Sequence, residues 1–222
     1  MAATTTRSVE RALQLLTVVC NNPGINLTSA AQQTDLAPSS ALRLLNTLAE
    51  NGFIARDKQG RFTAGVHMLQ LGFKVLDQES LRTLAKPTMQ ELAQHTGESI
   101  YLSVQHQNQA LYIGLVAGTH AVQHRSWEGQ TIPLRSTAAG AALTGRLKGQ
   151  PFAVVSNSVE TDVMAIAAPI VVKNQTIAAL SMLVPLYRTD EHTAEKYGEL
   201  ISSQAKKLAE LYASAPVSYT HL

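Results

Sequence analysis

The segment that decides the fold lies at residues 38–48, which read PSSALRLLNTL. Apolar side chains recur there at three- and four-residue spacing, and this spacing predicts an amphipathic helix with one buried stripe. Pro38 suits the first position of such a helix, because an N–H group there would have no partner inside the helix. The opposite face carries short hydrogen-bonding side chains and one arginine: Ser39, Ser40, Arg43, Asn46 and Thr47.

The sequence around this helix predicts a winged helix-turn-helix domain over residues 1–65. A first helix is indicated by apolar residues at helical spacing, namely Val9, Ala12, Leu13, Leu16 and either Val19 or Cys20. A short second helix follows and ends at a turn formed by Thr34 and Asp35. Beyond residue 52, residues 53–56 and 61–63 are typical of two short strands joined by a turn that contains Gly60.

The exposed face of the third helix has the composition of a helix that lies in a DNA major groove. An arginine can bridge two acceptors of guanine, an asparagine can pair with adenine, and hydroxyl groups can reach phosphates. Arg56, Lys58 and Arg61 on the hairpin, together with Arg7, are expected to contact the DNA backbone or the minor groove. A solvated helix face is the alternative, but the order of helices, turn and basic hairpin favours DNA binding.

The charge distribution supports this interpretation of the first domain. The chain has 18 Lys and Arg against 16 Asp and Glu, so its net charge is only +2. The whole surplus falls within residues 1–65, and the remainder of the chain is balanced. We therefore expect contact with nucleic acid at the N-terminal domain and not along the entire protein.

Beyond residue 66 the pattern indicates a helical linker over residues 66–77 and a second domain over residues 78–214. Alternating apolar residues predict strands near residues 99–104, 110–115, 120–127, 152–156, 163–172 and 176–184. Helices are predicted up to Gly97, at residues 136–147 and at residues 191–213. Residues 215–222 are expected to form a frayed tail.

Six stretches occur in a characteristic order along the chain. They are SVERALQLL at residues 8–16, PSSALRLLNTL at 38–48, NGFI at 51–54, PLRSTAAGAAL at 133–143, and AIAAPI at 165–170 followed by AALS at 178–181. Together they resemble the IclR family of bacterial transcription regulators. The resemblance implies an α+β protein, in which a winged helix-turn-helix is joined by the linker helix to a GAF-like effector domain with a six-stranded antiparallel sheet.

The resemblance also implies a site for small organic acids or aromatic compounds in the second domain. From the residues themselves, the small side chains at the start of the helix near residue 138 leave backbone N–H groups that suit a carboxylate. Close helix packing by the same small residues, and a Ser181 hydroxyl bonded within its own sheet, stay open as alternatives. With the positions that the resemblance implies included, the expected effector-binding residues are Ala138, Ala139, Gly140, Asp162, Ala165, Ser181 and Leu183, and Trp127 or Tyr101 could line the same site.

The effector domain departs from the family pattern at one place. Between Gly145 and Phe152 the chain has six residues, whereas the resemblance implies a few dozen more, mostly helical. Ala165 and Leu183 stand where polar side chains are expected. A less polar pocket favours a carboxylate with an aromatic or short aliphatic body, larger than glyoxylate or pyruvate.

Other classes of function lack support in the sequence. No nucleophile elbow, Walker loop, dinucleotide fingerprint or zinc-protease motif occurs, so we expect no enzyme and no cofactor. His120 and His124 have no third ligand nearby, and one cysteine, Cys20, forms neither a disulfide framework nor a Cys-based zinc site. No apolar run is long enough to span a bilayer.

The function predicted is a cytoplasmic, DNA-binding transcriptional regulator that responds to a small carboxylate and controls a catabolic operon. Its expected partners are operator DNA, the carboxylate, and further copies of itself in a dimer or a dimer of dimers. The apolar stripe from Leu69 to Leu76 is the candidate dimer contact, unless it packs on the first helix. A small-molecule enzyme and a ligand-independent DNA-binding protein are the alternatives.

Overall fold

The structure, a computed structural model, describes residues 6–78, 80–120 and 127–214. The predicted strand at residues 120–127 and the predicted tail at residues 215–222 therefore fall largely or wholly outside the described residues. The chain divides into two compact units, one up to Gln78 and one from Glu79.

The first unit is a winged helix-turn-helix, as the sequence predicts. Its core contains Leu15 and Val19 of the first helix, Ala41 and Leu45 of the third, and Phe62 of the hairpin, all fully buried. The elements are α1 (Arg7–Asn21), α2 (Leu27–Gln33), α3 (Pro38–Glu50), β1 (Ile54–Arg56), β2 (Phe62–Ala64) and α4 (Val66–Gln78).

The buried side of α1 matches the predicted stripe at Val19 but not at Val9 or Leu13. Val9 and Leu13 are 54% and 56% exposed, whereas Leu15 and Val19 are fully buried. Helical spacing alone is compatible with either set, because the apolar residues of α1 occupy more than one face of the helix. The packing of α1 against α3 and β2 decides the rotation, and it places Leu15 and Val19 in the core.

The turn before α3 and the hairpin after it are fixed by local hydrogen bonds. Leu36 is buried in the turn and its amide donates to the Ala31 carbonyl at 2.9 Å. In the hairpin, β1 and β2 are antiparallel, and Phe62 also pairs with Ile25 in an isolated bridge. The hairpin is thereby attached to the helical core and projects beside α3.

The second unit is a six-stranded antiparallel sheet with helices on both faces. The strand order is β5-β4-β3-β8-β7-β6. Its elements are α5 (Ser80–Thr96), β3 (Ser99–His106), β4 (Gln109–Val116), β5 (Thr131–Pro133), α6 (Ala138–Leu143), β6 (Ala153–Ser156), β7 (Val163–Val172), β8 (Gln175–Pro185), a short 3₁₀ helix (Leu186–Arg188) and α7 (Glu191–Ser214).

Each face of the sheet has its own core. On one face, α5 and α7 cover residues such as Leu102, Leu180 and Met182. On the other face, α6 covers residues that include Ala179 and Leu183. Because side chains alternate along a strand, β8 contributes to both cores.

Two elements of the second unit differ from the sequence-based expectation. The predicted helix at residues 136–147 is shorter and ends at Leu143, because Gly145 adopts a left-handed conformation with φ of +70°. Strand β5 was not predicted. It has three residues and is held at the sheet edge by pairing with residues 109–111 of β4, so its own sequence carries little signal.

Candidate nucleic-acid interface and ligand cavity

The predicted recognition face of α3 is exposed. Ala41 and Leu45 are buried, while Ser39, Arg43 and Asn46 lie on the solvent side of the same helix. Thr47 is also exposed, and its hydroxyl donates to the Arg43 carbonyl at 3.1 Å, which orients it along the helix. Ser40 is partly buried. The face can therefore offer one guanidinium, one amide and hydroxyl groups to a partner.

The tip of the hairpin is held in a defined conformation by Asp57. Its carboxylate accepts hydrogen bonds from the amides of Gln59 and Arg61 at 3.0 and 2.9 Å. The other carboxylate oxygen lies 2.8 Å from Arg61 Nε. The backbone hydrogen bond from Arg61 is the main reason that the pKa of Asp57 lies below its usual value.

The basic side chains of the hairpin are consequently not equivalent. Lys58 is exposed at the tip. Arg61 is engaged by Asp57, and the Arg56 guanidinium lies 5.4 Å from the centre of the Phe62 ring in a cation–π contact. Arg7 is exposed and is the first residue of α1. Lys58 is thus the hairpin cation with the greatest freedom to reach a phosphate.

The second unit contains a cavity on the α6 face of the sheet. Its walls come from α6, the loop after β6 and strands β4, β7 and β8. The described lining residues are Tyr112, Trp127, Ile132, Thr137, Ala138, Ala139, Ser158, Val159, Glu160, Val163, Ala165, Ser181 and Leu183. The lining is mainly apolar, with a few polar groups directed inward, as is common in ligand sites.

Five of the seven predicted effector residues line this cavity, namely Ala138, Ala139, Ala165, Ser181 and Leu183. Gly140 does not, because it is the contact point between α6 and the segment before it. A Cβ at Gly140 would lie 2.5 Å from Leu134 Cα, so only glycine allows this approach. For Gly140 the alternative of close helix packing is therefore the better description.

Asp162 is exposed and is not among the lining residues. It adopts a positive φ of 61° in the turn before β7, and its amide donates to Asn157 Oδ1 at 2.8 Å. The acidic side chain in the lining is Glu160, two residues earlier. The loop conformation, which the sequence does not reveal, decides which of the two carboxylates faces the cavity.

Ser181 is the most informative polar residue of the cavity. It is 1% exposed, and its Oγ is buried without a hydrogen-bond partner. The alternative that this hydroxyl is bonded within its own sheet is therefore not what the structure has. A buried hydroxyl without a partner costs roughly 1–3 kcal/mol, so a polar group in the cavity would be stabilised there.

The first turn of α6 leaves backbone donors beside this hydroxyl. Thr137 caps the helix: its Oγ1 accepts from the Gly140 amide at 3.1 Å, and its carbonyl accepts from the Ala141 amide at 2.9 Å. The remaining amides of the first turn belong to Ala138 and Ala139, which line the cavity. The cavity lining thus includes Ala138 and Ala139, whose amides have no partner within the helix, and the Ser181 hydroxyl.

The cavity is small in this conformation. Its volume is about 20 Å³, which is enough for about one water molecule. One wall is the surface loop at residues 157–162, in which Val159 is 42% exposed. A carboxylate with an aromatic body would need this wall to move outward.

An aromatic cluster forms another wall. The Tyr112 ring centre is 4.8 Å from that of Tyr101 and 6.2 Å from that of Trp127. Burial raises the pKa of Tyr101 to about 12 and raises that of Tyr112 further, so both phenols stay protonated at neutral pH. Tyr101 is fully buried behind the lining.

Sequence reasoning missed several lining residues. Tyr112, Ile132, Thr137, Ser158, Val159, Glu160 and Val163 were not expected in the site. Alternation along β4 marks Tyr112 as facing one side of the sheet, but the side on which α6 packs is set by the tertiary structure. Among the described residues, no group of three His, Cys, Asp or Glu could hold a metal ion, and no helix is long and apolar enough to cross a membrane.

Family models match both units. The IclR helix-turn-helix domain matches residues 8–58. The C-terminal domain of the bacterial transcriptional regulator IclR matches residues 73–148. Together these matches cover more than half of the chain.

Curated relatives are bacterial regulators. The chain is 28% identical over 137 residues to the HTH-type transcriptional regulator KipR of Bacillus subtilis, which is 62% of this chain and 55% of that protein. It is 29% identical over 145 residues to the transcriptional repressor IclR of Escherichia coli, or 64% of this chain and 53% of that protein. The glycerol operon regulatory protein of Streptomyces coelicolor is 33% identical over 140 residues, which are 62% of this chain and 55% of that protein. The chain thus spans about half the length of the curated relatives it matches.

Solved structures share the fold. An IclR transcriptional regulator from Alicyclobacillus acidocaldarius superposes with a TM-score of 0.81 at 20% identity, covering 93% of this chain and 99% of that one. An IclR homolog from Microbacterium hydrocarbonoxydans, solved in complex with 4-hydroxybenzoate, superposes with a TM-score of 0.77 at 18% identity. The superposition covers 92% of this chain and 99% of that one. These relatives are regulators and not enzymes, in agreement with the sequence-based expectation. With both domain models matched in order and the fold shared over nearly the whole chain, this protein belongs to the IclR family of bacterial transcriptional regulators.

Proposed function

We propose that this protein is a cytoplasmic transcriptional regulator that binds an operator through α3 and the hairpin, and that a small monocarboxylate in the α6 cavity modulates this binding. The observation that carries the DNA-binding part is the exposed polar face of α3 beside a hairpin whose tip is held rigid by Asp57. Repressor names among the relatives favour repression of a catabolic operon.

DNA recognition is assigned to two kinds of contact. Arg43, exposed near the N-terminal half of α3, contacts a base edge, and Asn46 and the hydroxyls of Ser39, Ser40 and Thr47 assist it. Lys58 contacts phosphate, as do Arg7 and Arg56. Arg61 adds less than Lys58, because Asp57 already compensates its charge.

The test compares two variants on operator and random duplexes. Arg43→Ala should weaken operator binding by roughly 1–3 kcal/mol and relax specificity at one base pair. Lys58→Ala should weaken binding to all duplexes alike and lower the salt dependence by about one phosphate contact. Equal losses on operator and random DNA for Arg43→Ala would contradict the assignment.

The effector is proposed to be a carboxylic acid with an apolar body, larger than glyoxylate or pyruvate. The amides of Ala138 and Ala139 suit its carboxylate, the Ser181 hydroxyl suits a second oxygen, and the aromatic wall suits the body. Glu160 disfavours a second negative charge, which argues for a monocarboxylate.

Calorimetry tests the effector class, with 4-hydroxybenzoate and short aliphatic acids as probes against glyoxylate. Aromatic or longer aliphatic acids should bind, and Ser181→Ala should weaken binding by roughly threefold to tenfold because one hydrogen bond is lost. Tight binding of glyoxylate alone would refute this class. Asp162→Asn is the matched control, since Asp162 lies outside the lining and asparagine tolerates its positive φ.

A second copy of the chain is the proposed protein partner, as a dimer or a dimer of dimers. Val9 and Leu13 of α1, and Val66, Leu69 and Phe73 of α4, are each more than half exposed, so α1 does not cover the α4 residues. A dimer would also read two half-sites. Light scattering should show a dimer or a larger oligomer, and Phe73→Glu should weaken the self-association. A protein that is monomeric both with and without operator DNA would exclude a second copy of the chain as the partner.

A further inference from the structure

An ion pair links α5 to the segment that forms the aromatic wall of the cavity. Arg82 Nη2 of α5 donates to Glu128 Oε1 at 2.7 Å. The side chain of Arg82 passes over Gly114 of β4, where a Cβ would lie 3.8 Å from Arg82 Cγ. The guanidinium thereby reaches the edge of the sheet next to β4.

The segment that carries Glu128 is attached to β4 through Tyr112 and, beyond Gln130, through the pairing of β5 with residues 109–111 of β4. The Gly129 amide donates to the Tyr112 carbonyl at 2.8 Å, and the Tyr112 amide donates to the Gln130 carbonyl at 3.0 Å. Gln130 in turn donates to the Trp127 carbonyl at 2.9 Å, which closes a turn. Glu128 lies within this turn, directly next to Trp127, whose ring lines the cavity.

The pair also connects the two faces of the sheet. Leu81, Ala85 and Met89 of α5 pack in the core on one face, whereas Trp127 packs against the core on the other face. The Arg82–Glu128 contact joins these two layers at the edge of β4. A displacement of Trp127 would therefore act on α5 through this ion pair, and a displacement of α5 would act on Trp127 in the same way.

Stability alone does not account for the pair. Both side chains are 36% exposed, and ion pairs with this exposure add little to the free energy of unfolding. Moreover, Arg82 Nε is buried without a hydrogen-bond partner, which is unfavourable. The arrangement fits a role in holding the turn better than a role in folding.

We propose that Arg82 is a positioning residue of the cavity: by pairing with Glu128, it fixes the Trp127 wall against the ligand space and ties that wall to α5. This inference depends on the proposed function in one respect only, because it takes the cavity to be the effector site.

Trp127 permits a direct test, because it is the only tryptophan of the chain. Its fluorescence and its quenching by acrylamide report on the wall without any ligand. Arg82→Met keeps the apolar stem over Gly114 and removes the charge, and Glu128→Ala removes the partner. Lys86→Ala, an exposed cation one turn further along α5, is the matched control.

Arg82→Met and Glu128→Ala should each raise the quenching constant of Trp127, roughly twofold, since the wall loses its outer anchor. The charge swap R82E/E128R should restore the wild-type value, and Lys86→Ala should leave it unchanged. Wild-type quenching in both single variants, or altered quenching that the swap fails to restore, would overturn the proposal. Circular dichroism melts identify a variant that does not fold, in which case the other single variant and the swap still decide.

The experiment needs neither DNA nor effector. Wild-type quenching in the single variants would refute the role of Arg82 and leave the proposed regulation intact. Failure of the wild-type protein to bind DNA or any acid would refute the proposed function and leave the fluorescence result standing.

Discussion

Gly140→Ala should destabilise the second unit, although alanine is the better helix former. In α6 the added methyl group would overlap the Leu134 carbonyl oxygen and lie 2.5 Å from Leu134 Cα. Comfortable carbon–carbon contacts begin near 3.5 Å, so α6 and the preceding segment must separate by about 1 Å. Arg146 resists this separation, because its guanidinium donates to the carbonyls of Leu134 and Arg135.

The magnitude follows from two opposing terms. Replacing a helical glycine by alanine gains roughly 0.5–1 kcal/mol of unfolding free energy. Overpacking a tight site costs about 1–3 kcal/mol, and a rigid backbone neighbour places this site at the upper end. We expect a net loss of about 2 kcal/mol, which lowers the melting temperature of the second unit by roughly 5–10 °C.

Thermal unfolding followed by circular dichroism tests this prediction, with Gly72→Ala as the matched control. Gly72 lies in α4, and a Cβ there would have no neighbour within 4 Å. Gly72→Ala should therefore raise the stability of the first unit by roughly 0.5–1 kcal/mol. A Gly140→Ala protein as stable as the wild type would show that α6 does not depend on the close approach to Leu134.

Two further predictions concern charged groups. Arg188 pairs with Glu98 at 2.8 Å, and Glu98 is only 4% exposed. Arg188→Ala should therefore lower the free energy of unfolding by about 2–4 kcal/mol, as measured by urea denaturation. Adding Glu98→Gln to this variant should recover part of the loss. Because its folded-state pKa is lowered below the usual 3.8, Asp57 stabilises the hairpin tip above that pH, and this contribution is lost as the pH falls through the lowered value. In that acid range, hydrogen exchange of the Arg61 amide should accelerate in the wild type relative to the Asp57→Asn variant. Identical pH profiles for the two proteins would contradict the predicted direction of the pH dependence.

Much of the first unit could be predicted from the sequence because its signals are local. The position of α3, its buried stripe and its polar face follow from spacing within 11 residues, and Pro38 marks its start in the structure as expected. The hairpin likewise follows from a short turn with Gly60 between two strands. The rotation of α1 was the exception: Leu15 is buried although it was not in the predicted stripe, and Val9 and Leu13 are exposed although they were, because the packing partners of α1 decide its buried side.

The full set of residues that line the cavity could not be predicted from local sequence patterns. The sequence indicated the small residues of α6 and the hydroxyl of Ser181, because family motifs contain them. It did not indicate that Glu160 and not Asp162 lines the cavity, because this depends on the conformation of the loop at residues 157–162, in which Asn157 and Asp162 have positive φ.

The tertiary structure also decided that Gly140 packs against Leu134, that Ser181 Oγ has no partner, and that Arg82 meets Glu128 at a sheet edge. The periodicity of apolar residues indicates most of the helices and strands, because these depend on neighbours along the chain, but the buried side of α1 and the strand β5 depend on tertiary contacts. The Arg82–Glu128 ion pair joins residues 46 positions apart, and the cavity lining extends from Tyr112 to Leu183, so only the tertiary structure brings these residues together.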